Sequence, residues 1–119
     1  MRDMALEAAG ALAIVVALAH GAIGEWRVFS TARIEPRGAL TLMRLMWQAS
    51  TIDWICFGVL LIVAPALDSP RARVFIVAVA CAALGYGAFA NAVATRCRHP
   101  GWALMGLAVA LALFGLLPR

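Results

Sequence analysis

Four apolar stretches, each separated from the next by a short polar connection, account for most of this 119-residue chain. They cover residues 4–23, 42–64, 74–95 and 102–117. As helices that rise about 1.5 Å per residue, they are long enough to cross, or nearly cross, a hydrocarbon core of about 30 Å. The pattern therefore predicts an all-α fold, in which residues 1–119 form a single integral membrane bundle of four transmembrane helices.

The polar residues within this pattern are concentrated toward one end of the predicted bundle. Successive spans alternate in direction, so the end of the first and third spans lies on the same side as the start of the second and fourth. This side, which we call the polar end, is predicted to hold His20, Glu25, Arg44, Gln48, Asn91, Arg96 and His99.

One face of the second span is polar. Arg44, Gln48 and Thr51 follow one another at helical spacing, so their side chains lie along the same face of the helix. Arg44 lies two residues inside an apolar run, where it can either reach back to the lipid headgroups or pair with a partly buried acid. We expect it to pair with Glu25, which follows the first span at the same level.

Asp53 lies near the middle of the second span, on the opposite face from Arg44. An ionised carboxylate at this depth costs about 2.5–3.5 kcal/mol on insertion scales, so Asp53 is expected to be protonated, paired or placed in a polar pocket. Tyr86 on the third span has a suitable depth to form a hydrogen bond with it. Two roles are open for Asp53: a proton- or cation-coupled site, or a neutral acid that links two helices.

Small residues recur every four positions in three of the spans, which puts them along one side of each helix. They are Ala5, Ala9, Ala13, Ala17 and Gly21 in the first span, Ala83 and Gly87 followed by Asn91 in the third, and Gly106 and Ala110 in the fourth. Inside lipid, helices associate through close backbone approach at such residues. The stripes predict either a tight bundle or tight contact with another protein.

The composition leaves little room for anything besides membrane helices, because 65% of the residues are hydrophobic and 13% are charged. The net charge of +4 comes from arginines in the short connections, where contact with lipid headgroups explains them. No basic and aromatic stripe of the kind that binds nucleic acid is present. The predicted partners are therefore the lipid bilayer and either other membrane proteins or a second copy of this chain.

Metal binding is one chemistry that the polar end could support. His20, Glu25 and His99 could supply nitrogen and oxygen ligands, although no two of them have a spacing that is diagnostic of a metal site. Histidines at this level more often bind headgroups or carbonyl groups. The sequence contains no nucleophile–base pair and no phosphate-binding loop, so we expect the chain not to be an enzyme. It indicates no particular cofactor.

Three short motifs stand at the polar end. The segment from His20 to Glu25 reads His-x-x-x-Gly-Glu, the segment from Arg44 to Gln48 reads Arg-x-x-Trp-Gln, and a third begins at His99 and reads His-Pro-x-Trp. In this combination the chain resembles a family of small, uncharacterised bacterial membrane proteins with four helices. The chain departs from the family pattern at Gln48, where the pattern has histidine. The resemblance implies a bacterial membrane protein and no particular activity.

For the function, we expect an accessory or interaction subunit of a larger assembly in the bacterial cytoplasmic membrane. Small-residue stripes, minimal loops and the lack of catalytic residues favour this interpretation. One alternative is a small proton- or cation-coupled transporter that uses Asp53 and the Glu25–Arg44 region. Another is a metal- or ligand-binding membrane protein that uses His20, Glu25, Arg44 and His99. Transporters usually show internal repeats or broken helices, which this sequence lacks.

Overall fold

The computed structural model describes residues 1–117, and all regular elements in this range are helical. In chain order they are α1 (Arg2–Ile23), a π-helical turn (Gly24–Phe29), α2 (Arg37–Val63), a short 3₁₀ turn (Ala64–Ala66), α3 (Pro70–Thr95) and α4 (Gly101–Phe114). The predicted all-α architecture with four helices is confirmed for these residues. The last two residues of the predicted domain, 118–119, lie outside the described part of the chain.

Three segments are long and apolar enough to cross a membrane: Arg2–Phe29, Arg37–Ala66 and Pro70–Thr95. The fourth helix is shorter than the predicted span over 102–117, since it has 14 residues and ends at Phe114. At about 1.5 Å per residue it reaches only about 21 Å. Gly115 follows Phe114 as the C-cap, and glycine is among the residues that favour a helix least.

The chain turns sharply from α3 into α4 at the polar end. After α3, Arg96 and Cys97 have left-handed backbones, with φ angles of 52° and 59°. The backbone N–H of Cys97 closes the helix end by donating to the carbonyl oxygen of Ala92 at 2.8 Å. Pro100 follows directly before α4, and its fixed φ suits the start of a helix. This tight connection holds His99 beside the first turn of α4.

The four helices pack as a ring in which α1 lies between α2 and α4. Helix α3 packs mainly against α4, and its contact with α2 is the weakest of the neighbouring pairs. The predicted stripe on α1 is buried throughout, at Ala5, Ala9, Ala13, Ala17 and Gly21. Of the two outcomes that the stripe predicted, the tight bundle is the one observed, because its small residues are covered by helices of the same chain.

The predictions for α3 and α4 were only partly right. Gly87 is buried as predicted, whereas Ala83 is half-buried. In α4 the predicted packing residues Gly106 and Ala110 are both exposed. The residues that α4 buries instead are Gly101, Met105, Ala108 and Ala112. This correction has a simple reason: a helix that is apolar on all sides carries no sequence signal for the face it buries.

Helices α1 and α2 approach each other very closely at Gly10 and Gly58, a pair that the sequence pattern did not single out. A Cβ atom placed on Gly58 would lie 2.7 Å from the carbonyl oxygen of Gly10 and 2.6 Å from Cγ1 of Ile14. Both distances are shorter than van der Waals contact. The two glycines therefore allow backbone contact that any side chain would prevent, and they support the α1–α2 arrangement on which the polar end depends.

Candidate functional site

The predicted pair of Glu25 and Arg44 is present at the polar end. Arg44 donates from Nε to Glu25 Oε1 at 3.0 Å, and its Nη2 donates to Oε2, so the guanidinium and the carboxylate meet side by side. Gln48, one turn further along α2, donates to Glu25 Oε1 at 2.8 Å and to the carbonyl oxygen of Gly21 at 3.3 Å. These charge-assisted bonds fasten the end of the first helix to the start of α2.

The π-helical turn at Gly24–Phe29 shapes the surface that faces α2. A π-helix fits an extra residue into each turn, so the side chains that follow Gly24 are rotated relative to those of α1. Trp47 packs directly on Gly24, where a Cβ atom would collide with the indole ring. Phe29 meets the same indole edge-on, with the ring centroids 5.6 Å apart. Gly24 and Phe29 of the π turn thus form the surface on which the Trp47 indole packs. Such turns occur frequently at functional sites.

His20 lies in an aromatic enclosure made by two tryptophans of α2. Its ring stacks on Trp47, with the centroids 4.1 Å apart and an angle of 5° between the planes. Trp54 lies 4.5 Å away in a tilted orientation. Trp47 also donates from Nε1 to the carbonyl oxygen of His20 at 3.0 Å. The position and orientation of the imidazole are therefore fixed by both rings and by the backbone contact.

The hydrogen bonds around His20 define which of its nitrogens is free. Ser50 donates from Oγ to the carbonyl oxygen of Trp47 at 2.7 Å, and the same Oγ lies 3.3 Å from His20 Nε2. The hydroxyl has only one proton, so Ser50 Oγ acts as the acceptor for an N–H group at Nε2. In this tautomer Nδ1 keeps its lone pair and can accept a further hydrogen bond.

His99 is held at the start of α4 in the same tautomer as His20. Its Nδ1 accepts from the backbone N–H of Gly101 at 3.1 Å, so the ring proton lies on Nε2, which is a donor. A Cβ atom on Gly101 would lie 2.9 Å from His99 Nδ1 and 3.4 Å from Asn91 Oδ1. Glycine at this position therefore lets the histidine and the asparagine pack closely against the first turn of α4.

A cleft of about 340 Å³ opens between these groups, and all four helices contribute to its walls. Its volume falls at the small end of the range for ligand pockets, about 300–1,000 Å³. The walls are mostly apolar. The lining residues that matter for its chemistry are His20, Trp47, Trp54, Asn91, His99 and Met105. Neither Glu25 nor Arg44 lines the cleft, so the single polar cluster predicted from the sequence is divided into two separate sites.

Asn91 contributes a polar atom without a partner. Its Oδ1 is shielded from solvent and accepts no hydrogen bond within residues 1–117. Buried polar atoms are nearly always paired, and each exception requires a physical explanation. The sequence placed Asn91 in a cluster with Glu25 and Arg44, but the structure places it in the wall of the cleft.

Gly87 allows the inner wall of the cleft to form. A Cβ atom at this position would lie 2.5 Å from the terminal methyl group of Met105 and 2.8 Å from Cζ2 of Trp54. Both of these side chains line the cleft. The predicted packing residue of α3 therefore serves the site as well as the bundle, because it gives the indole and the thioether room to meet.

The predicted metal candidates do not form a metal site. Among residues 1–117, no group of three His, Cys, Asp or Glu side chains is close enough to hold one ion. Glu25 is engaged by Arg44 outside the cleft, whereas His20 and His99 line it with one nitrogen each already hydrogen-bonded. The candidate set is therefore corrected: its members belong to two different sites.

Asp53 and Tyr86 are not brought together as predicted. Both are exposed, and Tyr86 retains 73% of its accessible surface. The next residues along the chain, Trp54 and Gly87, contact each other between α2 and α3 at this level. Since consecutive helical residues point about 100° apart, Asp53 and Tyr86 are turned away from that contact.

Two further outcomes concern residues at the polar end. Arg96 is exposed in the turn after α3 and does not line the cleft. Trp54 lines the cleft, a role that was not predicted. The sequence does carry a signal for it, since Trp47, Thr51 and Trp54 follow at helical spacing and point about 100–160° away from Asp53.

Comparison with protein-family models, curated proteins and solved structures finds no match to this chain. The class that the fold defines is an all-helical bundle with three helices of membrane-spanning length. The predicted resemblance to small bacterial membrane proteins stays a prediction.

Proposed function

We propose that this chain is an integral protein of the bacterial cytoplasmic membrane and acts as an interaction subunit of a larger membrane assembly, which it joins through the exposed side of α2. The observation that carries the proposal is the position of Asp53. It is exposed midway along α2. Within residues 1–117 the salt bridges are Arg44–Glu25 and Arg73–Asp3, so Asp53 has no charged partner there.

The exposed side of α2 has the pattern of a helix-packing surface. Six of the exposed residues of α2 lie on the same side as Asp53, and we call them the outer stripe: Leu42, Met46, Asp53, Cys56, Leu60 and Val63. They recur at intervals of three, four or seven positions, which is the spacing that forms a seam between two helices. The stripe is apolar apart from Asp53 and the Cys56 thiol.

Burial of the outer stripe against another chain would offset the cost of placing Asp53 in the middle of the membrane. Asp53 lies about 16 Å from either end of the apolar stretch 42–64, and an aspartate at this depth costs about 2.5–3.5 kcal/mol on insertion scales. No helix of this chain covers it in the described residues. A partner helix with a hydrogen-bonding group at the same depth offsets that cost, and polar side chains join helices in membranes in this way.

The geometry gives less support to a transporter. A coupled pathway needs its ionisable groups along one route, but Asp53 lies on the opposite face of α2 from Arg44 and Gln48. The cleft is lined by neither Asp53 nor Glu25. Asp53 is therefore separated from the Glu25–Arg44 pair by the width of α2.

Native extraction in mild detergent followed by native mass spectrometry tests the proposal. We expect the chain, with its mass of 12.6 kDa, at fixed stoichiometry in a larger complex with other membrane proteins. The Asp53→Leu variant should dissociate from that complex, while Asp53→Asn, which keeps a hydrogen-bonding group, should stay in it. Glu7→Leu is the matched control, since Glu7 is an exposed acid on α1. A monomer or a homo-oligomer in native extracts contradicts the role of an accessory subunit.

Photo-crosslinking locates the contact. A photoreactive residue in place of Leu60 on the outer stripe should form an adduct with the partner, and the adduct should disappear with Asp53→Leu. The same residue in place of Leu107 on α4, which is similarly exposed, should form none. Adducts of equal yield at both positions would show that the outer stripe is not the contact surface.

A further inference from the structure

We infer that the polar end faces the cytoplasm and that its arginines bind the phosphate groups of anionic lipids there, a placement that rests on the membrane location in the proposed function. It does not depend on assembly through the outer stripe, because the arginines concerned lie outside that stripe. It is supported by the charges that are free at each end of the bundle and by the aromatic residues beside them.

Two connections supply the free positive charge of the polar end. One leads from α1 to the start of α2, and the other leads from α3 to α4. Their exposed arginines, which we call the free arginines, are Arg27, Arg33, Arg37, Arg96 and Arg98. Within residues 1–117 the salt bridges are Arg44–Glu25 and Arg73–Asp3, so none of the free arginines pairs with an acid there. A guanidinium group suits phosphate oxygens, because its planar fork donates two parallel N–H bonds.

The two connections form one surface. Val28 from the first connection lines the same cleft as His99 and Pro100 from the second. Arg27 and Arg98, which stand next to these wall residues in the chain, therefore lie at the same end of the bundle. The result is a positive surface that complements the negative potential of an anionic leaflet.

The opposite end of the bundle uses its arginines within the chain. Arg73 lies 2.6 Å from Asp3 Oδ1 and donates to the carbonyl oxygen of Gly115 at 3.2 Å. Arg2 donates to the carbonyl oxygen of Leu117. Both guanidinium groups therefore hold the segment that follows α4, and they are less available to a lipid phosphate than the free arginines are.

The distribution of arginines gives the orientation. The free arginines and Arg44 stand at the polar end, whereas the opposite end of the described chain has only Arg2, Arg71 and Arg73. In membrane proteins the connections on the cytoplasmic side carry the excess of arginine and lysine. The cytoplasmic leaflet also presents anionic lipids, and each arginine near such a surface strengthens binding about fivefold. Both effects favour a cytoplasmic polar end.

Two exposed tryptophans lie beside the free arginines, at the level expected for lipid headgroups. Trp26, which precedes Arg27, keeps 78% of its surface exposed, and Trp102 keeps 38%. Tryptophan is enriched at the boundary between membrane and water. The other two tryptophans, Trp47 and Trp54, line the cleft. Tryptophan fluorescence therefore reports on lipid contacts at this side of the bundle.

The native Cys97 measures the orientation, since it is exposed in the turn between α3 and α4. A membrane-impermeant maleimide is added to right-side-out and to inside-out vesicles of the bacterial membrane. We expect Cys97 to react only in inside-out vesicles. Cys56 and Cys81 lie in membrane-spanning segments, and Cys97→Ser reports any residual reaction with them. Leu67→Cys in the Cys97→Ser chain is exposed at the opposite end and should react only in right-side-out vesicles.

Quenching by brominated lipids measures the lipid preference. The purified full chain is reconstituted in phosphatidylcholine vesicles that contain brominated phosphatidylglycerol or brominated phosphatidylcholine. We expect the binding constant of phosphatidylglycerol, relative to phosphatidylcholine, to exceed one and to fall as salt is added. The double variant Arg96→Gln, Arg98→Gln should lower it by up to about fivefold for each charge removed. Lysine at both positions should retain the preference, and Arg71→Gln at the opposite end is the matched control that leaves it unchanged.

Several outcomes overturn the inference, and they differ from those that overturn the proposed function. Reaction of Cys97 in right-side-out vesicles, or in neither preparation, contradicts a cytoplasmic polar end. A relative binding constant of one, or an equal loss of preference in Arg71→Gln, contradicts lipid binding by the free arginines. Reaction of Cys97 and of a cysteine at position 67 in both preparations refutes the membrane location itself. A monomer in native extracts refutes only the accessory subunit and leaves both of these measurements as expected.

Discussion

Replacement of Gly58 by alanine tests the close approach of α1 and α2 most directly. The added methyl group would lie 2.6 Å from Cγ1 of Ile14 and 2.7 Å from the carbonyl oxygen of Gly10. The isoleucine can change rotamer, but the backbone oxygen can move only with its helix. Overpacking of this kind costs about 1–3 kcal/mol. Relative to alanine at a helical glycine with open space around it, we expect Gly58→Ala to lower the free energy of unfolding by an amount in this range.

Gly85→Ala is the matched control for this substitution. Gly85 lies inside α3, and a Cβ atom there has open space within 4 Å. Alanine is favoured over glycine in a helix by about 0.5–1 kcal/mol, so this variant should be slightly stabilised. Gly58 also lies inside a helix, so this gain is common to both variants, and the difference between them is the overpacking cost of about 1–3 kcal/mol. For a domain of this size it corresponds to a separation in Tm of roughly 3–15 °C.

Thermal unfolding followed with a thiol-reactive fluorophore measures this difference. Cys81 is half-buried against α4, with its Sγ 3.9 Å from the carbonyl oxygen of Val109. Cys56 and Cys97 are exposed and are replaced by serine, so the signal reports the exposure of Cys81 when the bundle unfolds. If Gly58→Ala and Gly85→Ala unfold at the same temperature, α1 and α2 do not meet at the distance described here.

Three further predictions concern the polar end and the packing of α1. Trp47→Phe keeps an aromatic ring on His20 but removes the hydrogen bond from Trp47 Nε1 to the carbonyl oxygen of His20. The free energy of unfolding should therefore fall by about 0.5–1.5 kcal/mol. An unchanged Tm would contradict this. Glu25→Leu and Arg44→Leu should each lower the Tm. The double variant should lower the Tm by less than the sum of the two single effects, because both substitutions remove the same ion pair. Strictly additive effects would argue against this pairing. Ala9→Leu should cost about 1–3 kcal/mol even in isolated monomers, since Ala9 is buried within the chain; a loss of stability confined to complexes would refute this.

Several parts of the fold could be predicted because they follow from spacing alone. Helix lengths are set by the apolar stretches, and the stripe through Ala9 and Ala13 gave the buried side of α1. The buried side of α4 could not be predicted in this way, because Gly106 and Met105 stand in an apolar helix with no polar face for contrast. The Gly10–Gly58 contact was also missed, since it depends on the register of two helices rather than on a repeat within one.

The candidate site was predictable where depth and charge decide the contact. Glu25 and Arg44 stand at the same level and have opposite charges, and both properties can be read from the sequence. Asp53 and Tyr86 also stand at similar depth, but depth does not determine which way a side chain points. Trp54 occupies the space between α2 and α3 beside Gly87, and the preceding residue on the helix, Asp53, points about 100° away from it. The cleft itself arises from four helices at once, which no local pattern encodes.

The outer stripe and the cleft lie on different sides of α2. Asp53 and Trp54 are adjacent in the chain, yet they point about 100° apart, one to the outer stripe and the other into the cleft. Asp53→Leu should therefore abolish the adduct at position 60 without lowering the Tm of the isolated chain. If it also lowered that Tm, the substitution would disturb the side of α2 that faces the cleft. Trp54 would then link the assembly surface to the cleft.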